Sequence, residues 1–103
     1  MVLDYTARSI REIETETRKS IVELLQEFSM STIHLFVKKG LGIGANAEEA
    51  DKVIEEYLAD GKDIFELYIE ILELLRNKGF LPKSVDFQSV KRAQEIKTEV
   101  KAE

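Results

Sequence analysis

The chain has 103 residues, 44% apolar and 34% charged, with a net charge of -5, which is room for one small domain and excludes both a disordered acidic tail and a membrane protein. No apolar run approaches the roughly 20 residues of a membrane span, and no signal-peptide-like stretch follows Met1. Cysteine is absent, which removes disulfides, zinc thiolates and thiol nucleophiles and is the usage expected of a cytosolic chain.

Residues 6–18 read as a first helix. Ala7, Ile10, Ile13 and Glu14 trace a narrow stripe, Arg8, Arg11, Glu12 and Glu16 form its wet face, and Asp4 is the candidate cap. Ser20 with Glu23 has capping-box spacing and opens a short helix of Ile21, Val22, Leu24, Leu25 and Phe28. A break or kink is expected at Ser29–Ser31, after which Ile33, Leu35, Phe36 and Val37 continue as helix. Lys38 and Lys39 fall in its last turn, where the helix dipole favours cations, and Gly40 falls where a left-handed residue ends a helix.

Gly40, Gly42 and Gly44 form a loop, and Asn46 with Glu49 is a second capping box. The helix that follows runs to Ala59, with Ala50, Val53, Ile54, Tyr57 and Leu58 predicted to face inward. Asp60-Gly61 is a turn. Asp63 with Glu66 makes a third capping-box spacing and opens Ile64–Lys78, which Gly79 stops. That helix is apolar at nine positions from Ile64 to Leu75, more than one stripe requires, so it is the centre of the domain or is covered by a partner. Phe80 and Leu81 are expected to fold back before Pro82 blocks further helix. A last pattern, Phe87, Val90, Ala93, Ile96 and Val100, gives a thin amphipathic stripe, an ordered helix or a partly disordered tail.

Charge is unevenly spread. Residues 1–47 hold six acids and six bases, residues 48–73 hold ten acids against Lys52 and Lys62, and residues 76–103 hold seven bases against four acids. An acidic middle repels phosphate, so nucleic acid is not an expected partner. The alternating signs near the end read as a solvated helix.

Candidate chemistry is thin. Gly40-Leu41-Gly42-Ile43-Gly44-Ala45 can be forced into a dinucleotide-binding fingerprint, but it follows a helix rather than a strand. His34 has no second His or Cys to share a metal and no orienting partner placed by sequence. The glutamates lack the Glu-x-x-His of carboxylate metal bundles and lie mainly opposite the apolar faces. A helix-turn-helix reading at Ser29–Ser31 gives a recognition helix of Ile-His-Leu-Phe-Val, which is a core face and not a row of base-reading side chains. No enzyme, cofactor or metal is expected.

The order of signals, Leu3-Asp4-Tyr5, Ile10 to Glu14, Lys19-Ser20-Ile21, Ser31-Thr32, Gly40-Leu41, Glu48-Glu49-Ala50-Asp51, Gly61-Lys62 and Gly79-Phe80-Leu81, resembles the small tail assembly chaperones of long-tailed phages and prophages over residues 3–82. The resemblance implies a non-enzymatic role: holding the long tape-measure protein soluble until tail-tube subunits polymerise around it. It also implies a host-cell cytoplasmic location, and members of that family are often made in two lengths, the longer by a translational frameshift. Members often begin with a small β element, for which this chain leaves little room. An apolar groove between helices suits such a partner, and Ile64, Phe65, Tyr68, Leu72, Phe80 and Leu81 are the candidate partner-binding residues.

The expected architecture is therefore all-α, a compact single-domain bundle of four to five helices over residues 1–82, with residues 83–103 as a polar amphipathic tail. The expected partners are the tape-measure protein and, secondarily, the tail-tube protein or a second copy of the chain. A generic small helical interaction or regulatory module is the alternative.

Overall fold

The computed structural model describes residues 3–82 and contains five helices in that span: α1 (Ala7–Thr17), α2 (Ile21–Gln26), α3 (Met30–Gly40), α4 (Ala47–Ala59) and α5 (Ile64–Asn77). The all-α bundle expected from the periodicity is the fold observed, with no strand among the described residues. The amphipathic pattern at Phe87–Val100 lies outside those residues.

Helix starts follow local side-chain chemistry. Ser20, Ser29, Asn46 and Asp63 each accept a hydrogen bond from the backbone N–H three residues on, satisfying one of the donors that a helix start leaves without a partner. Of the three capping-box spacings, Asn46–Glu49 forms both arms, with Glu49 N donating to Asn46 Oδ1 at 2.8 Å and Asn46 N to Glu49 Oε1 at 3.2 Å. The cap of α1 is Thr6, reciprocated by Ser9, and not Asp4. Asp4 is two residues too early and instead reaches Lys78 beside the end of α5, at 2.8 Å.

The break between α2 and α3 is sharp. Phe28 takes a left-handed backbone, φ 35°, a conformation rare for a bulky residue, and Ser29 then caps α3. At the other end of α3 the glycine roles differ from expectation. Gly40 is the last helical residue and has no positive φ; the left-handed position falls to Gly42, φ 119°. Gly40 is needed for a different reason: a Cβ there would stand 2.9 Å from the Tyr5 hydroxyl and 3.2 Å from Leu3 Cβ. The extended segment Leu3–Tyr5 lies directly against it, held by Asp4 N–H donating to Gly40 O at 2.9 Å and by Tyr5 Oη donating to Phe36 O at 2.7 Å.

The core gathers from every helix. Ile13, Phe36, Val37, Ala50, Leu67 and Leu75 have no exposed surface, each large one contributing roughly 1.5–3 kcal/mol by burial. α3 packs against α4 and α1, and α1 against α2. α5 places Leu67, Tyr68, Ile71, Leu72 and Leu75 inward, and the Tyr68 hydroxyl donates to Leu25 O at the end of α2. Two inward expectations fail. Leu58 is 39% exposed, because Ile54 and Tyr57 already fill the side of α4 that meets the core. Ala7 is exposed because Leu3 and Tyr5 cover the core at the start of α1.

Candidate functional site

The six candidate partner-binding residues divide in two. Tyr68, Leu72 and Leu81 are buried at 4%, 4% and 6% exposure and belong to the core; Ile64, Phe65 and Phe80 are half-buried at its edge. The difference follows from helical geometry. Residues 67, 68, 71, 72 and 75 share the inward arc of α5, while Phe65 and Ile69, four apart, lie on its flank.

That flank meets the α2–α3 corner. The left-handed backbone at Phe28 aims its ring at α5, with ring centroids 5.5 Å from Phe65 and 4.8 Å from Tyr68, the latter edge-on. Phe65 and Tyr68 are 5.8 Å apart. The result is a three-ring cluster rooted in the core through Tyr68, with Phe28 and Phe65 reaching the surface. Sequence reasoning passed over Phe28 as an ordinary apolar residue of α2, since nothing in the sequence signals its left-handed backbone. Ile69 was legible as the i+4 neighbour of Phe65.

A second feature borders this flank. Tyr57 of α4 lies against the acidic edge of α5. Burial, reinforced by the nearby carboxylates of Glu70, Glu66 and Asp63, pushes its phenol up to about 12. Lys62 covers its ring, with Nζ 4.9 Å from the centroid, a cation–π contact that places one positive charge within an otherwise acidic edge.

The remaining candidates lie apart from this flank. His34 Nε2 lies 3.1 Å from Ala47 O and 3.0 Å from Asp51 Oδ1, so the lone histidine fastens α3 to the first turns of α4. The glycine loop borders a cleft of about 180 Å³ beside the start of α1, lined among others by Arg8, Glu12, Lys38 and Lys39. Its cations are largely spoken for: Arg8 pairs with Glu12, and Lys39 with Glu16 at 2.7 Å and Glu12 at 3.7 Å. The loop follows α3, so it lacks the strand-to-helix context that aims backbone N–H groups at a pyrophosphate. Among the described residues no three His, Asp or Glu side chains gather as metal ligands, and no helix is long and apolar enough to cross a membrane.

The site is therefore an aromatic and aliphatic flank, Phe28, Phe65 and Ile69, with an acidic border. It can bind apolar surface. In comparisons with known proteins, the chain matches no family model, no curated protein and no solved structure.

Proposed function

We propose that the protein is a tail assembly chaperone of a long-tailed phage or prophage, acting in the host cytoplasm by reversible apolar binding to the tape-measure protein. The observation that carries the reading is the half-buried flank of α5, where Phe65 and Ile69 join Phe28 on a surface only partly covered among the described residues. A tape-measure protein exposes long apolar helical stripes before the tube surrounds it, and a rigid aromatic strip between helices suits such a stripe. A strip of this small size favours weak contacts, as a chaperone displaced by tube subunits requires. The order of helix-end signals along residues 3–82 supports the same reading by resemblance.

The same flank would also serve a small helical interaction module with another partner. Co-expression with a tape-measure protein separates the two. The chaperone reading expects the tape-measure protein to be insoluble alone and to co-purify in soluble form with this chain, and expects Phe65→Ser with Ile69→Ser to abolish the rescue. A tape-measure protein whose solubility ignores this chain would leave the interaction module as the surviving reading.

A further inference from the structure

We infer that residues 87–100 of this same chain dock on the Phe28–Phe65–Ile69 flank, lying antiparallel along α5 as a tethered cover that a partner must displace. The inference adds regulation to the binding role proposed above; it rests on that reading for its consequence, and on the geometry of α5 for the contact itself.

The end of α5 turns the chain back alongside the helix. Gly79 takes φ 89°, its N–H donates to Arg76 O at 3.0 Å, and Phe80 N–H donates to Leu75 O at 2.9 Å, the Schellman pattern of a helix end. Leu81 is then buried at 6% exposure, so the chain reaches Pro82 against the bundle and not on an extension of α5. Residues 83–103 follow, outside the described residues. The four residues 83–86 span up to roughly 13 Å when extended, more than the about 8–10 Å between the axes of packed helices. A short connection of this kind joins antiparallel neighbours. On one flank of α5, Tyr57 of α4 already lies beside Glu70. The other flank carries Phe65 and Ile69, which with Phe28 remain half-buried.

Length and pattern match that flank. In the sequence, Val90, Ala93, Ile96 and Val100 recur every three or four positions, the spacing of one helical face. As a helix, residues 87–100 cover roughly 20 Å, and Asn77 back to Phe65 covers roughly 18 Å at the same rise per residue. A segment that starts beside Asn77 and runs toward the start of α5 therefore brings Ile96 and Val100 level with Ile69 and Phe65, where Phe28 also stands. A stripe of four apolar residues, one of them alanine, binds weakly in trans. A short tether raises its effective concentration to the millimolar range, which lets a weak contact cover the flank. A partner helix with a longer stripe buries more apolar area and displaces it.

The chain has no cysteine, so one introduced cysteine carries a nitroxide label at a single place. In the full chain, a label at Glu99→Cys is expected to broaden the amide signals of Phe65 and Ile69 more than that of Asn77, and a label at Gln88→Cys to do the reverse. Changing Val90, Ile96 and Val100 together to Ser, which leaves the described core untouched, is expected to erase both patterns. The same triple variant is expected to bind a synthetic leucine-stripe helical peptide of about four turns at least about ten-fold tighter than the unaltered chain does. Equal broadening at Phe65 and Asn77 from both labels, or a triple variant with unchanged affinity for the peptide, would overturn the inference. So would broadening that passes from a labelled chain to a separate isotope-enriched chain, since the occupant would then be a second copy. Tail-dependent broadening alongside a tape-measure protein whose solubility ignores this chain would keep the contact and sink the chaperone reading. Soluble rescue by a chain whose labels show no contact with α5 would do the opposite.

Discussion

The α1–α3 half and the α4–α5 half use charge in opposite ways. In the first, lysines and glutamates join elements: Lys39, only 16% exposed, ties the end of α3 to Glu12 and Glu16 on α1, and Lys19 ties the α1–α2 junction to Glu27. In the second, acids cap helix starts at Asp63 and Glu49, and over residues 48–73 ten acids stand against two lysines. The first half is thus held by packing and local pairing, while the second is held by packing against a mild self-repulsion. Net charge, averaged over the chain, conceals this division.

The sharpest test of this contrast compares one phenylalanine from each half. Phe36→Ala, at a site with no exposed surface that receives the Tyr5 hydroxyl bond, is expected to cost about 3–5 kcal/mol. Phe65→Ala, on the half-buried flank, should cost well under half of that. Equal losses in denaturant unfolding would mean that Phe65 is a core residue and the strip is closed.

Next in size, Gly40→Val forces a branched side chain into the 2.9 Å gap beneath Tyr5 and should cost about 1–3 kcal/mol. Displacement of the Leu3–Tyr5 segment should accompany the loss, visible as faster amide exchange at Asp4, whose N–H bonds Gly40 O. The same substitution at Gly61, where no atom crowds the Cβ, acts through its positive φ alone.

Alkaline pH probes both halves through the tyrosines, of which the chain has three. Burial raises Tyr5 and Tyr68, and burial with the acidic edge raises Tyr57 to about 12. Because each folded value lies above the ordinary value of 10.0, their contribution to stability is full below pH 10 and falls as pH rises from there toward the folded values. Phenolate absorbance should stay flat through pH 10 and then rise together with loss of helix. A phenolate that appears near pH 10 with the helices intact would contradict the burial of these rings.

Smaller still, neutralising charge should have opposite signs in the two halves. Lys39→Met is expected to lower stability by about 1 kcal/mol, whereas Glu55→Gln with Glu56→Gln should raise it by a few tenths of a kcal/mol, an effect that fades with salt. The smallest effect lies at Asp4, whose carboxyl the Lys78 ammonium holds below its ordinary 3.8. That contribution is present above pH 3.8 and is lost as pH falls below it. Asp4→Asn should slightly lower stability at neutral pH, change nothing in strong acid, and so flatten that small part of the acid loss.

The helices and most of their starts were legible in the sequence because they depend on neighbours within four positions. Ser20, Asn46 and Asp63 cap where serine, asparagine or aspartate precedes an apolar period, and Gly79 stops α5 with φ 89° because only glycine adopts that backbone freely. At the start of α1 the expected cap, Asp4, gives way to Thr6. The decision turned on Leu3–Tyr5 being drawn onto α3, a contact spanning more than thirty positions between Tyr5 and Phe36. The candidate site was half legible. Nine apolar positions on α5 announced surplus hydrophobicity, but which of them lie inward depends on where α2 and its corner come to rest.

Local order thus belonged to the sequence by itself: four to five helices, most of their caps, an acidic second half and a surplus of apolar surface on the last helix. Backbone hydrogen bonding, dipoles and glycine freedom act within a turn or two, so a linear reading captures them. The tertiary structure decided the rest. It made Gly40 a close-approach residue and not a helix stop, made His34 a clasp between α3 and α4, buried Tyr68, Leu72 and Leu81, and left Phe28, Phe65 and Ile69 at the edge. Each of those outcomes depends on which surfaces meet in space, and packing at near-crystalline density admits only side chains that fit the neighbour opposite.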